Sequence, residues 1–140
     1  MRLVIDTAVF IAAVRSPSGA SAALILLILE RQAVMLLSVP LAFEYEATAL
    51  RAEHLLAAQA NEAAVVNLID VLIDVAEPVE VHYLWRPQLS DAGDELVLEA
   101  AVNGRADAIV TFNRKDYGST PAAFGIDVIG PAEALRRIRA

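Results

Sequence analysis

Short apolar runs alternate along this chain with longer stretches whose apolar positions recur at helical spacing. Leu3 to Ile5, Val34 to Ser38, Val79 to Trp85, Asp107 to Phe112 and Asp127 to Ile129 read as strands. Between them, Ser18 to Gln32, Pro40 to about Leu50, Asn61 to Val75, Glu95 to Asn103 and Pro131 to Arg139 read as helices. The clearest is Asn61 to Val75, where Val65, Leu68, Ile69, Leu72 and Ile73 form one apolar stripe and Asn67, Asp70 and Asp74 face away. Pro40 suits a first helical turn, where its missing N–H costs nothing, and Gly104 marks a helix end. Strands alternating with helices predict an α/β domain with a mostly parallel sheet. There is no repeat, low-complexity tract or linker, so residues 1–140 form a single domain.

The hydrophobic fraction of 57% includes 27 alanines, a helix-favouring residue, and does not signal a membrane protein. The greasiest stretch, Ala22 to Leu29, is cut by Glu30-Arg31-Gln32, and the next contains Pro40. Both fall short of the ~20 residues of a spanning helix. The start does not resemble a signal peptide, and with no cysteine there is neither a disulfide nor a thiolate metal site. A cytoplasmic protein is the expectation. The net charge of −7 argues against generic nucleic-acid binding, so any such role must rest on local arginines or on metal ions.

Acidic residues recur at the ends of these elements. Asp6 closes the first strand, at the end where parallel sheets bind ligands, although Asp6-Thr7 also suits a helix cap. Glu44 and Glu46 point to different sides of one helix; Glu44, between Phe43 and Tyr45, is the one expected to face the sheet. Asp91 and Asp94 have the spacing of a helix cap and its first turn, and Asp94 leads into the apolar Leu96-Val97-Leu98. Asn113 and Asp116 follow the strand that ends near Thr111, and both offer oxygen ligands. Each position alone has an ordinary structural explanation as a cap, a turn or a solvated face. Gathered into one pocket, such carboxylates would repel one another, and a hard dication, Mg²⁺ or Mn²⁺, would relieve the repulsion. That chemistry suits metal-assisted phosphodiester hydrolysis.

The segments LVIDTAVFIAAVRSPSGAS, PLAFEYEATAL, LSDAGDELVLEAAVNGRADAIVTFNRKDYG and DVIGPAEAL together resemble the PIN-domain nucleases. The likeness is to the toxin half of bacterial toxin–antitoxin pairs of the VapC type. It implies a three-layer α/β/α sandwich around a twisted, mostly parallel sheet. It further implies a Mg²⁺-dependent endoribonuclease, usually a homodimer, held inactive by a cognate antitoxin. Carried over, it makes Asp6, Glu44 and Asp94 the metal ligands, with Asp116 as fourth and Asn113 in support. Asp91 is then peripheral and Thr111 a nearby hydroxyl. One departure is Ala8, where the family commonly has Asn, and a second is Asn113 at a spot often held by Asp. Both imply reduced metal affinity.

Arg15, Arg86, Arg114 and Lys115 are candidates to line an RNA path, set against ordinary solvated charge. His54 and His82 lack partners at zinc-ligand spacing, and Tyr83 and Trp85 read as packing residues. The wide apolar face of Ala22 to Leu29 suggests a dimer interface. Two other readings compete with the nuclease: a binding module that keeps the fold only to pair with a partner, and an aspartyl-phosphate phosphotransfer protein. The second wants an Asp at position 8 or an acidic pair before Asp6, and the chain has neither.

Overall fold

Leu3, Val4 and Ile5 have no exposed surface at all, which is what a strand covered on both faces requires. They belong to β1 (Arg2–Ile5), the middle strand of a five-stranded sheet. The computed structural model describes residues 1–82 and 89–140. The other strands are β2 (Val34–Leu37), β3 (Glu77–Pro78), β4 (Ala108–Val110) and β5 (Asp127–Ile129). Their order is β3-β2-β1-β4-β5 and every pairing is parallel, with Leu3 opposite Met35 on one side and Ala108 on the other.

Helices α1 (Thr7–Arg15), α2 (Ala20–Leu29), α3 (Val39–Ala49), α4 (Ala52–Ala58), α5 (Glu62–Val75), α6 (Ala92–Gly104), α7 (Thr120–Ala123) and α8 (Pro131–Arg139) flank the sheet. This is the helix-rich α/β/α arrangement expected of the sequence. Helix α6 lies across β1, β2 and β4, and α1 packs on α2, α3 and α4. The caps follow side-chain chemistry. Ser38 accepts from Leu41 N–H ahead of α3, which carries Pro40 in its first turn, and Asn61 accepts from Ala64 N–H ahead of α5. No single helix among the described residues is long and apolar enough to cross a membrane.

The structure departs from the sequence expectation at several points. The helix expected over Ser18 to Gln32 is the shorter α2, and the unassigned stretches after Asp6 and Leu50 are helical, as α1 and α4. Of the strand expected from Val79 to Trp85, the described part, Val79 to His82, is not a strand, and the two-residue β3 lies ahead of it. Pro78 lies within it, tolerated because β3 is the edge of the sheet; Tyr83, Trp85 and Arg86 lie outside the described residues. Ile73, expected in the core stripe of α5, is 50% exposed and borders an apolar groove of about 190 Å³ with Val39 and Phe43. Gly104 is the last residue of α6, and the left-handed cap falls on Arg105 (φ 54°). The need for glycine at 104 is one of space: a Cβ there would stand 2.9 Å from Val79 Cγ2 and 3.0 Å from Leu36 Cδ1.

Candidate active site

Strand order alone marks a special place in this sheet. From β1 the chain moves outward through β2 to β3, then returns to the other side of β1 as β4. Such a reversal leaves a crevice beyond the carboxyl ends of the two strands that flank it. Asp6 stands at that end of β1 and Thr111 at that end of β4. The two are joined: Asp6 N–H donates to the Val110 carbonyl at 2.9 Å, and Thr111 Oγ1 donates to Asp6 Oδ2 at 2.6 Å. Asp6 is only 8% exposed, and its side chain does not cap α1, so capping does not account for it.

Helix α6 brings the next acids. Asp91 is its N-cap, accepting from the N–H groups of Gly93 (2.7 Å) and Asp94 (3.2 Å). Asp94 sits in the first turn, half-buried, with Tyr117 donating to its Oδ1 across a long 3.4 Å. Burial, followed by the charges on Asp6, Asp91 and Asp116, pushes the Asp94 carboxyl up to about 6, against the opposing pull of the Tyr117 hydrogen bond. The charges of Asp6, Asp91 and Asp116 are thus near enough to Asp94 to repel it. Tyr117 is fully buried, and burial plus the charges on Asp6 and Asp94 hold its phenol well above its usual range.

Glu44 reaches the same neighbourhood from α3. Its Oε1 accepts from Thr48 Oγ1 at 3.3 Å and lies 3.4 Å from where a Cβ on Gly93 would stand. Glu46 is carried to another side of α3, facing Glu62 and Asp70. Asn113 and Asp116 are exposed; the Asn113 N–H donates to Thr111 Oγ1 at 3.1 Å, while Asp116, in a 3₁₀ turn (Arg114–Tyr117), acts on Asp94 through its charge. Arg114 and Lys115 are exposed on that turn. Arg15 lies elsewhere, on a cleft of about 620 Å³ that it lines with Thr7, Ala8, Glu44, Arg51, His54 and Asp91.

The donor set is all oxygen, which suits a hard dication such as Mg²⁺ or Mn²⁺ over zinc or copper. Among the described residues, no three acidic or imidazole side chains stand close enough, as placed, to hold a metal ion. What the site does show is a set of mutually repelling carboxylates, the electrostatic condition that a dication relieves. The donor chemistry therefore fits.

The raised carboxyl has a consequence for stability. The folded chain binds the Asp94 proton more tightly than the unfolded chain, so this contribution is complete below 3.8 and is lost as the pH rises through about 6. At pH 7.5, without metal, ionised Asp94 therefore weakens the fold. Asp94→Asn should stabilise the protein in EDTA by about 1 kcal/mol after discounting for solvent screening, with the gain vanishing near pH 4. Urea melts of both proteins at the two pH values check this, and a less stable variant at pH 7.5 would contradict it.

Sequence reasoning missed Tyr117, Thr7, Arg51 and the cleft position of His54. Tyr117 directly follows Asp116, but nothing in the sequence shows its ring turning inward. Thr7 Oγ1 and His54 Nδ1 are buried without a hydrogen-bond partner, a property visible only after folding. A family model described as a PIN domain matches residues 2–115. No curated protein and no solved structure matches the chain.

Proposed function

The chain belongs to the PIN-domain family, a family of nuclease-type fold, and on that footing we propose that it is a divalent-metal-dependent endoribonuclease. The observation that carries this reading is the placement of Asp6. It is a buried carboxylate at the sheet's reversal point, held by Thr111, with Asp94 electrostatically coupled to it and Glu44 set against the first turn of the same helix. Asp6, Glu44, Asp94 and Asp116 are the residues that would hold Mg²⁺ or Mn²⁺. When bound, the ion would supply an activated water and neutralise charge on the phosphodiester in transit.

The chain's own residues do the rest. Thr111 anchors Asp6 through its hydroxyl, which donates to Oδ2. Asp91 holds the first turn of α6, so that Asp94 is presented at a fixed angle. Tyr117, fully buried, donates its hydroxyl toward Asp94 and so orients that carboxylate. Arg114 and Lys115 offer positive charge beside Asp116 for an approaching phosphate chain.

We further propose that the chain is the toxin of a VapC-type pair, a homodimer restrained by a cognate antitoxin. The residue pattern quoted above supports this reading, together with the exposed apolar side chains on α2 and along the α3–α5 groove, Leu26 and Phe43 among them. The test uses protein purified free of any antitoxin. It should cleave single-stranded or loop RNA with Mg²⁺ or Mn²⁺, and cleavage should stop in excess EDTA. RNA left intact under every divalent metal would overturn the enzymatic reading and favour the partner-binding module.

A further inference from the structure

The cleft beside the acids contains the only chemistry near the site that the reading above leaves unused among the described residues. It is lined by Thr7 and Ala8, the two residues after Asp6, and by Glu44 and Asp91. It therefore opens directly onto the acidic centre. Arg15 from the last turn of α1 and Arg51 from the cap position of α4 line it as well. Arg2 is neutralised by Glu77, Arg136 by Glu133, and Arg137 by Asp127 and Glu133. The remaining described arginines carry no such ion pair, and of these only Arg15 and Arg51 line this cleft. Two arginines without an ion pair lining one cleft, in a chain of net charge −7, give that cleft the positive charge that an incoming anion would meet beside the acids.

The rise of α1 decides which anion. Arg15 lies about 12 Å along the helix from Thr7, too far to serve the group that Asp6 handles. A single-stranded nucleic acid solves the geometry, because one phosphate can lie at the acids while a neighbouring one lies at the arginines. We propose that Arg15 and Arg51 form a subsite for a phosphodiester flanking the scissile one. The nucleoside beyond it lies in the cleft against Ala8, among Thr7, Ile11 and His54, which line the same space. The volume, about 620 Å³, suits a ligand of this size. Ala8 then has a use: a small side chain at that position widens the entrance to the cleft. The subsite rests on the nuclease reading for its substrate, and Arg15 and Arg51 act as positioning residues.

The experiment measures anisotropy of a fluorescein-labelled single-stranded oligoribonucleotide in Ca²⁺, across about 50 to 200 mM salt, where the Debye length falls from about 14 to about 7 Å, alongside Mg²⁺-supported cleavage of the same strand. Each of Arg15→Ala and Arg51→Ala should weaken binding about tenfold at the lowest salt and flatten the log K against log salt slope by about 0.7. Arg51→Lys, which keeps the charge, should restore the slope. Arg105→Gln, at the opposite end of the sheet, should leave it unchanged. Wild-type slopes in both alanine variants, equal flattening by Arg105→Gln, or no binding by the wild type would overturn the subsite. Cleavage with unaltered slopes sinks the subsite alone. Arginine-dependent binding without cleavage in any metal sinks the enzymatic reading and leaves the subsite standing.

Discussion

Replacing Asp6 or Asp94 by Asn should lower RNA cleavage by about 10³-fold, equivalent to some 4 kcal/mol of transition-state stabilisation. Asn keeps the shape of each side chain and removes only the charge and one good oxygen ligand, so the loss isolates electrostatics from packing. Asp70→Asn, on the exposed side of α5, should leave the rate within about twofold, as surface changes usually do. Stability measurements make the comparison decisive. Asp94→Asn should be at least as stable as the parent at pH 7.5, because it relieves the repulsion from Asp6, Asp91 and Asp116. An inactive but more stable variant identifies a group whose charge the fold tolerates for the sake of chemistry. Equal residual cleavage in all three variants would instead expose a contaminating nuclease, and full activity in Asp6→Asn would end the proposal.

The placement of the candidate acids was legible before folding because they stand where secondary structure begins or ends. Asp6 after Leu3 to Ile5, and Asp94 ahead of Leu96 to Leu98, are tied to element ends by local pattern alone, and element ends are what a parallel sheet brings together. Asp91 was legible as a cap for the same reason, since its bonds run only to Gly93 and Asp94. What escaped was set by long-range packing. The inward ring of Tyr117, the pairing of Thr111 with Asp6 across 105 residues, and the lining of one cleft by both Arg15 and Arg51 depend on how helices dock, not on any local period. The short β3 escaped because two residues carry no periodicity, and Ile73 misled because a perfect helical stripe was wider than the surface available to bury it. Gly104 was read as a cap when its cause was the closeness of Leu36 and Val79.

The position of Asp6 depends in turn on Tyr45, and the second large effect is expected there. Tyr45 has no exposed surface and stacks on Phe10, with ring centroids 4.7 Å apart and planes 16° from parallel. Its hydroxyl donates to the carbonyl of Ile5, the residue immediately before Asp6. One side chain of α3 thus ties α1 to the end of β1 at the point where the acid emerges. Tyr45→Ala should cost about 4 kcal/mol, from lost burial of the ring and the cavity left beside Phe10. That is a large part of the roughly 5–15 kcal/mol that holds a domain of this size together. Tyr45→Phe keeps the stack and removes only the hydrogen bond, so its cost should be about 1 kcal/mol. The pair separates packing from polar anchoring. Denaturant melts that put the alanine variant within about 1 kcal/mol of the parent would mean that the ring is not packed as described, since truncation of a filled aromatic site does not come so cheaply.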